Sequence, residues 1–182
     1  MDKFVPSLCK MGYILGYGND CSKYGNLIQK KQEACGFIPE HAKIVHIEVS
    51  GGGKDSVNIN IPKSKHIDIT KTHAGRFVRI MKPILPDEHL LEHPNTYGKI
   101  AYYSALACNL PYDIRGVLSF MFSWIKQNPR LPFCSEWAAW SIQQVYPAYF
   151  DYEKPSKIMP AHFCLSKWTE VIFEGIIPKI SD

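Results

Sequence analysis

Lys43-Ile-Val-His-Ile-Glu-Val-Ser50, the glycines at 51–53 and Ser56-Val-Asn-Ile-Asn-Ile61 form the stretch that decides the fold. Val45, Ile47 and Val49 alternate with Ile44, His46, Glu48 and Ser50, and Val57, Ile59 and Ile61 alternate with Ser56, Asn58 and Asn60. A period of two marks a half-buried strand, and glycines between two such runs mark a hairpin. Residues directly opposite one another share a face of the sheet, so polar positions must meet polar positions. Pairing Ser50 with Ser56 satisfies that condition. It sets Glu48 opposite Asn58 and His46 opposite Asn60, and leaves residues 51–55 as the loop. The hairpin then has one apolar face and one polar face.

Outward from the hairpin the signals are coarser. Residues 1–40 read as irregular, with turn signals at Gly16-Tyr-Gly-Asn-Asp20 and a helix over 24–35 stopped by Gly36. A further strand is predicted over 76–81, ahead of Pro83. Helices are predicted over 96–108, 117–126 and 134–145, the last bounded by Pro132 and Pro147. Beyond 150 the chain reads as mixed loops with a short terminal element. Strands early and helices late give an α+β fold, and 182 residues suit one domain spanning 1–182.

Composition narrows the function classes. With 46% hydrophobic and 21% charged residues, the chain is neither disordered, collagenous nor a coiled coil. Its longest apolar run, 116–125, is about half the ~20 residues of a membrane span. The opening residues lack the pattern of a secretory signal, so a cytoplasmic location is expected, with accessory or phage-type export left open. Six cysteines in that setting read as reduced thiols, mostly packed as small core hydrophobes. No C-x-x-C pair or Cys/His cluster points to zinc, and neither metal nor cofactor is expected. Between 62 and 82, Lys63, Lys65, Lys71, Arg76, Arg79 and Lys82 face only Asp68, a net +5. That stripe could meet an anionic surface. Nothing in the sequence marks specific nucleic-acid binding.

The sharpest chemical feature is Leu131-Pro-Phe-Cys-Ser-Glu-Trp-Ala-Ala-Trp140. Cys134 falls at the start of a predicted helix, where free N–H groups and the helix dipole favour a thiolate. The same N–H groups could hold the oxyanion formed when a thiolate attacks a carbonyl. Such a thiolate needs an imidazole, and the imidazole needs a partner to orient it. His46, on the polar strand face, is the best placed. His41 is the runner-up, and His66, His73, His89, His93 and His162 read as surface residues.

Three blocks in order resemble the permuted papain-like cysteine hydrolases of the NlpC type, in particular the YiiX-like amidase group. They are Ala42-Lys-Ile-Val-His-Ile-Glu-Val-Ser-Gly-Gly-Gly53, Leu110-Pro-Tyr-Asp-Ile-Arg-Gly-Val-Leu-Ser-Phe120 and Phe133-Cys-Ser-Glu-Trp-Ala-Ala139. The histidine precedes the cysteine, as in the permuted group. The resemblance implies an antiparallel sheet packed against helices, with Cys134 as nucleophile and His46 as general base. The family often carries a glutamate on the following strand, whereas 56–61 holds only Asn58 and Asn60. Papain-like enzymes can orient the imidazole with an asparagine, and the register favours Asn60, ahead of Asn58 and Glu48. Glu48, Tyr112 and Ser135 are then expected to contact substrate. Trp124, Trp137, Trp140 and Phe120 are read as core.

The expected activity is cleavage of an amide or ester through an acyl-enzyme, on a peptide, peptidoglycan-stem or lipid amide substrate. Two other readings stand beside it. One is a lipid acyltransferase or thioesterase-like enzyme of the same fold; the other is a catalytically inactive binding module.

Overall fold

The computed structural model describes residues 3–121, 124–126, 128 and 130–179. The predicted continuation of the 117–126 helix through 122 and 123 lies outside them, as do 180–182. Among the described residues, six strands, β1 Ile14–Gly18, β2 Ile44–Gly52, β3 Asp55–Asn58, β4 Lys65–Asp68, β5 Phe77–Pro83 and β6 Thr169–Ile176, form one antiparallel sheet. Their order across it is β4-β3-β2-β1-β5-β6. The helices are α1 Lys23–Ala34, α2 Pro39–Ala42, α3 Ile69–Thr72, α4 Asp87–Glu92, α5 Thr96–Ala105, α6 Ile114–Met121 and α7 Cys134–Gln143. Short 3-10 turns join α7 to β6. The α+β reading holds.

The hairpin register is as the faces required. Ser50 pairs with Ser56 and Val49 with Val57. The turn is tighter than expected, because Gly52 also pairs with Asp55 and the irregularity is absorbed at Gly51. Gly52 and Gly53 take φ of +107° and +62°, conformations that side-chain-bearing residues adopt at a cost. A second irregularity lies at the other end of β2. Tyr17 pairs with His46 but Gly18 with Ile44, so Val45 is bulged out of the ladder. That bulge moves Ile44 to the face of Ile47 and Val49, where all three join one core cluster.

The sheet separates two apolar layers. On one face Ile14, Ile44, Ile47, Val49 and Met81 pack against Ile100 of α5 and Ala138, Ala139 and Ile142 of α7. On the other, Leu15, Tyr17, Val78 and Ile80 pack against Phe4, Cys9, Ile67 and Ile177. Residues 1–40 are therefore less irregular than the glycines suggested, since β1 lies at the middle of the sheet. Gly16 serves packing rather than a turn: a Cβ there would lie 2.9 Å from Ile44 Cγ2 and from Met81 Cε. The terminal element is likewise a full strand, β6, laid against β5.

The basic stretch does not form a continuous stripe. Arg79 is buried and paired with Glu174, Arg76 lies 3.6 Å from Asp20 and Lys82 3.8 Å from Glu170. Lys63, Lys65 and Lys71 remain exposed. Trp124, read as core, is 78% exposed. The cysteines are all free, with Cys9, Cys134 and Cys164 buried, Cys108 half-buried and Cys21 and Cys35 exposed. No helix among the described residues is long and apolar enough to cross a membrane.

Candidate active site

Cys134 is the first residue of α7, and Phe133 before it is extended and supplies no side-chain cap. The first N–H groups of a helix have no partner within it. Here one of them, that of Ser135, is directed at the Cys134 sulfur. A second comes from the sheet. Ser50 N–H bonds Tyr13 O and Ser50 O accepts from Gly12 N–H, so even-numbered residues of β2 face β1. Ile47 faces the opposite side, where the β3 ladder has already ended at Val49. Its N–H meets the Cys134 sulfur instead. The thiol thus occupies the open edge of β2.

His46 reaches the same place from the other face of β2. Its imidazole interacts with the Cys134 side chain, each favouring the charged form of the other, and its Nε2 lies 3.2 Å from Glu48 Oε1. The 11 residues from Pro111 to Met121 add a third side chain. Asp113 N–H donates to Pro132 O at 2.9 Å, tying the Pro111-Tyr112-Asp113 turn to the segment that leads into Cys134. Gly116 permits the close approach, since a Cβ would lie 2.7 Å from Phe133 Cδ1. Tyr112 is thereby brought beside Cys134, close enough for the two side chains to interact.

Glu48 is 1% exposed and fully engaged. Its Oε1 accepts from His46 Nε2 and, at 2.7 Å, from His73 Nε2. Its Oε2 accepts from Tyr17 Oη at 3.2 Å and Ser56 Oγ at 2.5 Å. A buried carboxylate is tolerated only when so completely hydrogen-bonded. The polar face of the hairpin is therefore an interior network, not a solvent-facing surface.

Several expectations change. Asn60 is exposed, and its Oδ1 accepts from the N–H of Ile61. Glu48, not Asn60, holds His46. Glu48 cannot touch substrate, being enclosed on all sides. Ser135 is also buried, its hydroxyl donating to Ile158 O at 2.7 Å, so no side-chain contact with substrate is open to it. His73 is not a surface residue but 3% exposed. Its Nδ1 has no hydrogen-bond partner, so the useful contact of the ring is the Nε2 proton given to Glu48. No periodicity could have found His73, because it lies just past the four-residue α3, in a stretch that reads as polar loop. Tyr112 remains in the site and lines a cleft with His46 and Asn60.

The electrostatics favour an ion pair. For Cys134, burial is the largest influence and pushes the thiol up. The His46 hydrogen bond and charge, together with the Ile47 and Ser135 N–H groups, outweigh it and leave the thiol below its ordinary value. Burial likewise pushes His46 down, but Cys134 and Glu48 carry it up to about 10. Glu48, despite burial, is lowered to about 2 by His46 and His73. Burial, followed by the Cys134 charge, pushes the Tyr112 phenol well above its usual range, so it stays protonated and able to donate. Among the described residues no group of three or more His, Cys, Asp or Glu is arranged to hold a metal ion.

Comparison of the chain with protein-family models, with curated proteins and with solved structures returns no match.

Proposed function

We propose that the protein is a cysteine hydrolase that cleaves an amide or ester through an acyl-enzyme, on a permuted papain-like plan. The observation that carries the reading is the alignment of three side chains, Cys134 interacting with His46 and His46 hydrogen-bonded to the buried carboxylate of Glu48. A nucleophile, a base and an orienting group in sequence are the parts such chemistry needs. The order of histidine before cysteine, and the three sequence blocks, support the permuted plan.

In this reading the Cys134 thiolate adds to the substrate carbonyl, and the carbonyl π electrons move onto oxygen. Backbone N–H at the start of α7 and the Tyr112 hydroxyl stabilise that oxygen. The C–N or C–O bond then breaks as His46 gives its proton to the departing atom. Water, deprotonated by His46, attacks the thioester, and collapse of the second tetrahedral species frees the acid and regenerates the thiolate. Glu48 keeps the imidazole in register and favours its charged form throughout.

The test is reaction with p-nitrophenyl acetate. The wild type should release nitrophenolate and carry an acetyl group on Cys134 by mass spectrometry, while Cys134→Ala and His46→Ala should do neither above background. Equal release by all three proteins would sink the proposal.

A further inference from the structure

Two voids lie at the site, one bordered by Cys134 and the other by His46 and Tyr112, and they differ in size and lining. A slot of about 20 Å³ has Cys134 in its wall and is lined chiefly by Ile28, Val117, Phe133, Met159 and Pro160, with Lys31 and Ser135 contributing little polar surface. A cleft of about 150 Å³ shares Ile28 and Val117 with it and carries His46, Asn60, Arg76 and Tyr112. The slot wall is almost wholly apolar. The cleft is mixed, its polar side chains interleaved with Tyr24, Val45, Ile61 and Ile114.

Chemistry assigns the two voids. The group that protonates the departing atom must lie beside it, so the leaving group occupies the His46 side. The other substituent of the carbonyl is then directed into the slot. A void of about 20 Å³ is only slightly larger than the ~10–15 Å³ that one water needs, so it holds a group of about methyl size. Resting on the hydrolase reading, we propose that the substrates are amides or esters of short apolar acyl groups, acetyl to propionyl in size, joined to a larger leaving group of mixed polarity. Met159 and Ile28 set the depth of the slot.

The test compares acylation of Cys134 by p-nitrophenyl acetate and p-nitrophenyl hexanoate in the wild type, Met159→Ala and Ile28→Ala. In each reaction the sulfur–acyl bond forms as the ester C–O bond breaks, and nitrophenolate departs with the electron pair. One methylene too many in an apolar pocket costs at least about tenfold, so acetate should lead hexanoate by about tenfold or more in the wild type. Either alanine variant should narrow that ratio by about tenfold, because the deeper slot admits the hexanoyl chain. Equal rates in the wild type, or a ratio unmoved in both variants, overturns the slot assignment and leaves the hydrolase reading standing. No acylation of Cys134 by either ester overturns both.

Discussion

His73 Nε2 lies 2.7 Å from Glu48 Oε1, the same oxygen that faces His46 Nε2 at 3.2 Å. The shorter of the two contacts belongs to the histidine farther from the reaction. Glu48 is thus fixed from behind before it fixes the imidazole in front, and His73 acts as a positioning residue.

His73→Ala should therefore do two things. It should lower stability by about 1–3 kcal/mol, because a buried acceptor loses a donor, and it should slow Cys134 alkylation near pH 6. His73→Gln, which restores an amide donor, should recover part of the alkylation rate. Urea unfolding with alkylation kinetics separates the roles. A loss of stability with an unchanged alkylation profile would make His73 a structural residue alone.

Glu48→Gln and Asn60→Ala give opposite expectations. Removing the Glu48 charge should bring His46 down from about 10 and raise the pH at which Cys134 becomes reactive. Asn60→Ala should leave that pH where it is, since the Asn60 amide is engaged with Ile61. If Asn60→Ala moves the profile as far as Glu48→Gln, the assignment of the orienting carboxylate is wrong.

Acid stability follows from Glu48. Its carboxyl is held at about 2 in the fold against an ordinary 4.5. Between those values the unfolded chain binds the proton and the folded one does not. The contribution is therefore complete above about pH 4.5 and is lost as pH falls toward 2. It is on the order of 3 kcal/mol for a shift of this size. Urea midpoints at pH 7, 5 and 3 should fall mainly in the last interval, and Glu48→Gln should flatten that fall. An equal acid limb in the variant would remove Glu48 from the explanation.

The central strand offers a test of the fold itself. Gly16→Ala would press a methyl to within 2.9 Å of Ile44 Cγ2 and Met81 Cε. Met81 can swing aside but the branched Ile44 cannot, so a loss of about 1–3 kcal/mol is expected. Thermal unfolding measures it. An unchanged melting temperature would mean that the two neighbours pack more loosely than described.

What was legible in the sequence was what repeats. The period of two in 43–61 yielded the register of Ser50 with Ser56, and the proline before Cys134 marked the start of α7. Two kinds of feature escaped. Gly16 and Gly18 looked like turn residues because a glycine needed for close packing has the same letter as one needed for a positive φ. His73 and Glu48 meet across 25 residues of sequence, and a single carboxylate with four partners leaves no periodic trace. Register alone places Asn60 opposite His46. The chain instead leaves the ladder after Asn58 and carries Asn60 outward.

The most direct measurement is the pH dependence of iodoacetamide alkylation at each cysteine, read by peptide mass spectrometry in the wild type and His46→Ala. Exposed Cys21 and Cys35 serve as ordinary thiols in the same sample. Cys134 should react well below pH 8, ahead of both, and His46→Ala should abolish this lead. Cys134 reacting no faster than the other cysteines at every pH, with His46→Ala changing nothing, would contradict the pairing of Cys134 with His46.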